Sequence, residues 1–122
     1  WTQSMRGFVS RFTPATKLVL LAPPPGGIPV GECYSRRGST PSDCVGGIAE
    51  EWLAMAESER AFAETVGGQW IDSRPWFCNP YGNCPSFVGN TPTRLDLAHL
   101  VPAYGLKIFP VIGEAFRDAR VF

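Results

Sequence analysis

The only histidine of the chain, His99, follows Asp96 by three residues. At this spacing, one tight turn can bring the carboxylate to the imidazole. A carboxylate on one ring nitrogen fixes the tautomer and leaves the other nitrogen free to act as a base. The pair therefore has what acyl transfer needs from the Asp and His of a Ser–His–Asp triad. The competing interpretation is that Asp96 caps the following helix and His99 is an ordinary surface residue.

A nucleophile that would complete the triad is not identifiable in this chain. The sequence contains neither Gly-x-Ser-x-Gly nor Gly-Asp-Ser. Its serines lie in contexts typical of helix surfaces, caps and turns. The Gly26-Gly27 and Gly67-Gly68 pairs lack the spacing of a phosphate-binding loop. Residues Trp70, Trp76, Phe77 and Tyr81 can be interpreted as a sugar-stacking platform, but a loop core is the alternative.

The four cysteines form two local pairs in Pro/Gly/Asn-rich stretches. Ten residues separate Cys33 from Cys44, and five separate Cys78 from Cys84. Four cysteines allow three pairings, of which the local one is the simplest. Each disulfide would then close a short loop, and disulfides indicate an oxidising, extracytoplasmic compartment. A zinc site, whose usual C-x2-4-C spacing is absent, and free thiols are the alternatives.

Hydrophobic periodicity predicts helices that alternate with short strands. Residues 1–13 resemble the tail of an amphipathic helix that Pro14 ends. A helix from Val45 to Val66, with Ser42 or Asp43 as N-cap, and a helix over 100–116 follow later. Pro110 is expected to kink or split the last helix. The predicted strands span 17–22 and 69–72, and long irregular loops over 23–43 and 73–92 follow them.

The order of these elements predicts a single α/β domain over residues 1–122 with a parallel sheet. Both loops and the Asp96–His99 segment are expected at the carboxyl edge of that sheet, where parallel sheets bind ligands. Two parallel strands cannot make a stable sheet, because parallel sheets need both faces covered. We therefore expect the chain to be the C-terminal half of a larger domain.

Composition excludes several classes of function. The chain has 11 basic and 11 acidic side chains, so its net charge is zero. A nucleic-acid partner is not expected, because phosphate binding needs a surplus of Lys and Arg. No run of about 18 apolar residues is present, and the sequence predicts no membrane-spanning helix. The 13 glycines and 12 prolines indicate long ordered loops.

Several motifs resemble a known family. A strand ends in the proline turn at Pro23–Pro25, and the segments Val30-Gly-Glu-Cys33 and Ser42-Asp-Cys44 follow it. The later motifs are Ile71-Asp-Ser-Arg-Pro-Trp-Phe-Cys78, Asn83-Cys-Pro-Ser-Phe-Val-Gly-Asn90 and Asp96-Leu-Ala-His-Leu100. Together, over roughly residues 14–112, they resemble the SGNH hydrolase domain at the C-terminus of bacterial acyltransferase-3 membrane proteins.

The resemblance implies a three-layer α/β/α, flavodoxin-like domain of which this chain is the C-terminal half. The block with the Gly-Asp-Ser nucleophile and the oxyanion residues would precede Trp1, in the same or a separate polypeptide. His99 is then the general base and Asp96 its orienting carboxylate, and no metal or cofactor is needed.

The function that the resemblance implies is O-acyl transfer or ester hydrolysis on a glycan or glycolipid of the bacterial cell envelope. The domain would lie in the periplasm or cell envelope, next to an acyltransferase-3 membrane domain. The alternative is a non-catalytic SGNH-like extracytoplasmic domain that binds a partner protein or a glycan.

Overall fold

The computed structural model describes residues 1–12, 17–34, 37–96 and 99–121. The chain combines helices, three small sheets and two disulfides, an α/β arrangement. The helices are α1 (Thr2–Val9), α2 (Val30–Cys33), α3 (Glu50–Thr65) and α4 (Pro102–Asp118). The strands are β1 (Val19–Leu21), β2 (Val45–Gly46), β3 (Gln69–Ile71), β4 (Cys84–Pro85), β5 (Phe87–Val88) and β6 (Thr91–Pro92).

The predicted parallel strands are confirmed. Strands β1 and β3 pair in parallel with Val19 opposite Gln69 and Leu21 opposite Ile71. The ladder extends at both ends, since Gln69 N–H donates to the Leu18 carbonyl and Ala22 N–H to the Ile71 carbonyl. Both strands therefore end at the same edge, from which the loops after Ala22 and Ile71 depart.

Helix α3 covers one face of this pair. Trp52 and Ala56 pack with Ala22 in one core cluster, and Trp70 lies against it. Phe62, among the most buried side chains, contacts Trp1 edge-to-face with ring centroids 5.6 Å apart. The N-terminal helix ends at Val9, earlier than predicted, and the stop assigned to Pro14 falls outside the described residues.

The predicted start of α3 is wrong. Ser42 and Asp43 belong to a 3₁₀ turn, Pro41–Asp43, and α3 begins at Glu50 after Ala49. Val45 and Gly46 form β2 instead, because their backbone pairs with Pro85 and Cys84. Asp43 caps its own turn: Thr40 N–H donates to its Oδ2 at 2.6 Å, which lowers the pKa of this carboxyl.

Both long loops contain more regular structure than predicted. The first includes α2 and the 3₁₀ turn at 41–43; the second includes a 3₁₀ turn, Arg74–Trp76, and strands β4, β5 and β6. Strands β5 and β6 pair antiparallel. The described residues thus contain six short strands where the sequence indicated two, because two-residue pairings leave no readable periodicity.

The two local disulfides are confirmed, so the zinc and free-thiol alternatives are wrong. Cys33 bonds to Cys44, and Cys78 bonds to Cys84. Cys44 and Cys84 are fully buried, and the β2–β4 pairing holds the two closed loops side by side. Two disulfides are compatible with an extracytoplasmic protein.

Helix α4 runs without interruption through Pro110, so the expected split does not occur. Pro110 removes the hydrogen bond to the Leu106 carbonyl, but both residues lie on the exposed face of the helix, where water can replace the lost donor. The opposite face buries Tyr104 and Ile108 against Phe77. Lys17 Nζ donates to the Ala119 and Arg120 carbonyls at the end of the helix.

Candidate functional site

Asp96 and His99 form the contact that their spacing predicts. The His99 Nδ1 atom lies 3.0 Å from Oδ1 and 2.9 Å from Oδ2 of Asp96. The Asp96 Oδ1 atom also accepts the backbone N–H of His99 at 2.8 Å. With Asp96 ionised, Nδ1 carries the proton, so Nε2 has a lone pair available for a proton. This is the geometry that a general base requires.

A short backbone loop positions the pair. Arg94 and Leu100 form an antiparallel bridge at its base, and Leu95 N–H donates to the His99 carbonyl at 2.8 Å. The alternative in which Asp96 caps α4 is wrong, since the N-cap of that helix is Val101. The surface position of His99 is confirmed: His99 and Asp96 side chains are 74% and 55% exposed.

The base of this loop is anchored through buried hydrogen bonds. Thr93 is fully buried; its N–H donates to the Ser86 carbonyl, and its own carbonyl accepts Val101 N–H. Ser86 N–H in turn donates to the Cys44 carbonyl. The Asp96–His99 loop is therefore tied to both disulfide-closed loops.

The proline loop after β1 supplies carbonyls to side chains from distant parts of the chain. Pro23 O accepts from Ser73 Oγ at 2.7 Å and from Trp52 Nε1 at 3.0 Å. Pro25 O accepts from an Arg94 terminal nitrogen at 2.9 Å, and Ile28 O accepts from Ser86 Oγ. These bonds bring together the loop after β1, the loop after β3 and the segment before Asp96. The sequence predicted that these three segments lie at one edge of the sheet.

Arg94 is the residue near the pair that sequence reasoning missed. Only 2% of its surface is exposed. Its guanidinium lies 5.6 Å from the centroid of the Phe77 ring. Burial lowers the pKa of Arg94 because it removes water from the charged group. The run of three prolines was the sequence feature that could have indicated such a donor. Prolines have no N–H, so their carbonyls must accept hydrogen bonds from donors elsewhere in the chain.

Ser73 and Ser86 do not supply a nucleophile in this structure. Both are almost fully buried, and both hydroxyls donate to loop carbonyls. Five surface clefts among the described residues are lined by other side chains than Asp96 and His99. Among the described residues, an imidazole and a carboxylate therefore lie together on the surface, and no serine hydroxyl is hydrogen-bonded to the imidazole.

The aromatic residues do not form one common platform. Phe77 is buried against Tyr104, Trp70 packs on the α3 core, and Tyr81 is 89% exposed. Trp76 is half-buried and lines a cleft of about 460 Å³ together with Asn79 and Asn83. The loop-core interpretation therefore describes Phe77 and also Trp76, which packs against the Phe77–Tyr104 cluster while it lines the cleft.

The described residues include no group of three His, Cys, Asp or Glu side chains that could hold a metal ion. Within the same ranges, no helix is long and apolar enough to cross a membrane. Searches of protein-family models, of curated proteins and of solved structures find no match to this chain.

Proposed function

We propose that this chain is the C-terminal part of an SGNH-type domain that transfers or hydrolyses O-acyl groups. The observation that carries the proposal is the Asp96–His99 contact, in which the carboxylate lies 2.9 Å from Nδ1 and the imidazole is open to solvent. An orienting carboxylate on Nδ1 and a free Nε2 are the features that acyl transfer takes from a His–Asp pair.

In this mechanism, His99 Nε2 accepts the proton of a serine hydroxyl as the oxygen attacks the ester carbonyl. The imidazolium is stabilised by Asp96 and returns the proton to the leaving alcohol, which yields an acyl-enzyme. Water or a sugar hydroxyl then resolves the acyl-enzyme with His99 again as base. The serine and the oxyanion donors would come from the half of the domain that lies outside this chain.

The location follows from the same proposal. The two disulfides favour the periplasm or cell envelope over a reducing compartment. A glycan or glycolipid acceptor and an adjoining acyltransferase-3 membrane domain are the partners that the sequence resemblance implies. Arg94 joins the Asp96–His99 segment to the proline loop that leaves the carboxyl edge of β1, and this edge is the place where a further half-domain would complete the site.

The proposal is tested on the complete gene product with an activated acetyl ester. We expect His99→Ala and Asp96→Asn to lower kcat/KM by about 10²–10⁴-fold, the contribution of a positioned general base. Asp118→Asn, which removes an exposed carboxylate at the far end of α4, serves as the control and should leave the rate unchanged. An unchanged rate in His99→Ala would refute the proposal.

The second candidate function is a non-catalytic domain that binds a glycan. The observation in its favour is the cleft at Trp76, which combines aromatic and proline surface with the side chains of Asn79 and Asn83. Sugars stack their C–H faces on aromatic rings and take hydrogen bonds from amides. The two functions are distinguished by measuring ester turnover and the indole signal of Trp76 on the same protein. A protein that turns over no ester, but whose Trp76 signal responds to N-acetylglucosamine oligomers, fits only the binding function.

A further inference from the structure

Arg94 is a buried charge without a described carboxylate partner. None of the ion pairs among the described residues includes it. Its terminal nitrogen donates to Pro25 O at 2.9 Å, and its buried Nε has no acceptor in the described structure. A buried charge in such surroundings is costly, and apolar residues of similar size are often equal or better for stability. Stability alone is therefore a poor explanation for an arginine at this position.

The surroundings of the guanidinium are shaped to accept it. Phe77 provides a ring beneath it, with the guanidinium carbon 5.6 Å from the ring centroid. Gly27 leaves the space beside it, because a Cβ at this position would lie 3.1 Å from Arg94 Cζ. The side chain thus joins the proline loop after β1, the Phe77 loop and its own strand segment at one point.

The backbone of Arg94 is also the base of the Asp96–His99 loop. It bridges Leu100, and the next residue, Leu95, donates its N–H to the His99 carbonyl. Any shift of Arg94 would therefore move the segment that sets the distance between the Asp96 carboxylate and His99 Nδ1. Both side chains of the pair are more than half exposed, so the backbone of the segment carries much of their placement.

We propose that Arg94 is a positioning residue, which fixes the Asp96–His99 loop on the proline loop after β1 and so keeps the Asp96 carboxylate on His99 Nδ1. This inference rests on the proposed function, because the residue that Arg94 positions is the general base of that function. Arg94 itself does not touch the reacting atoms in this assignment.

The test is the ring tautomer of His99, read from its ¹⁵N chemical shifts in the oxidised chain. His99 is the only histidine, so one pair of ring signals is unambiguous. The spectra are taken at increasing pH, and the ratio is read where the ring shifts no longer change, so that only the two neutral tautomers contribute. We expect the Nδ1–H tautomer to dominate, and Asp96→Asn gives the ratio without the carboxylate.

Arg94→Met is expected to lower the ratio of Nδ1–H to Nε2–H tautomer by about fivefold, the factor of one typical hydrogen bond. Arg60→Met is the matched control, because Arg60 is an exposed arginine paired with Glu57 and Glu64 on α3. If Arg94→Met does not fold, Gly27→Ala is measured instead, because a Cβ at Gly27 would lie 3.1 Å from Arg94 Cζ and the φ of +114° would also strain the proline loop that holds Arg94. Gly27→Ala should shift the ratio in the same direction.

A wild-type ratio in a folded Arg94→Met chain, or in Gly27→Ala where Arg94→Met fails to fold, would overturn the inference. An equal shift in Arg60→Met would do the same, because the signal would then follow any lost arginine. The measurement needs no substrate. A normal tautomer response in a protein without ester turnover would therefore refute the proposed function and leave the positioning role of Arg94 intact.

Discussion

The two disulfides make a quantitative prediction about the stability of the chain. Cross-linking restricts the unfolded chain, and the entropy removed grows with the logarithm of the loop length. The Cys33–Cys44 link joins residues that are 11 positions apart in the sequence, and the Cys78–Cys84 link joins residues 6 positions apart. The loop-entropy relation then gives about 2.8 kcal/mol for the first and about 2.2 kcal/mol for the second at 25 °C.

Each pair is removed as a double alanine variant, Cys33→Ala/Cys44→Ala or Cys78→Ala/Cys84→Ala. The free energy of unfolding is measured in urea by the fluorescence of the four tryptophans. We expect it to fall by about 2–3 kcal/mol in either variant, a large part of the 5–15 kcal/mol typical of a domain. The urea m-value should rise, because an unfolded chain without the link exposes more surface.

A loss below about 1 kcal/mol with an unchanged m-value would refute this calculation. It would mean that the loop remains restricted in the unfolded chain without its disulfide. Reduction of the wild-type chain is the internal check. It removes both links without any substitution, so it should destabilise the protein by more than either double variant alone.

Two further predictions concern the cores. Tyr104→Phe removes the hydroxyl that donates to the Trp76 carbonyl. We expect the free energy of unfolding, measured in urea at neutral pH, to fall by about 1–3 kcal/mol. No loss would mean that water satisfies this carbonyl. Burial raises the pKa of Tyr104 above its ordinary value of 10.0. The contribution of Tyr104 to the free energy of unfolding is therefore complete below about pH 10 and declines as the pH rises through the higher native pKa. The phenolate absorbance at about 295 nm that wild type has and Tyr104→Phe lacks should appear only in that higher range. Phe62→Ala should destabilise the chain by about 3–5 kcal/mol in the same urea assay, because Phe62 is only 2% exposed. A loss under about 1 kcal/mol would instead show that Trp1 and α3 close the cavity.

Local patterns were sufficient for the elements whose signals lie within one segment. The apolar run before the prolines predicted β1, and the stripe through Trp52 and Phe62 predicted most of α3. Short spacing within each cysteine pair predicted the disulfides, because nearby cysteines reach each other without the rest of the fold. The three-residue spacing of Asp96 and His99 likewise predicted their contact.

Structural features that depend on residues distant in the sequence could not be predicted from local patterns. The start of α3 was placed too early because Val45 and Gly46 looked like helix, whereas they pair with β4 almost forty residues later. Pro110 was expected to kink or split α4, and the split does not occur, because the exposed position of the affected turn relieves the lost hydrogen bond. The two-residue pairings of β2 with β4 and of β5 with β6 are too short to carry a period.

The sequence by itself determined the order of the main helices and parallel strands, the two disulfide pairs and the Asp96–His99 contact, because each depends on neighbours along the chain. Only the tertiary structure decided what holds that contact in place. Arg94 looks like a surface arginine in the sequence, yet it is buried against Phe77 and donates to Pro25 O, which lies 69 residues earlier. The physical reason is that proline-loop carbonyls need donors, and only the folded chain determines which side chains reach them.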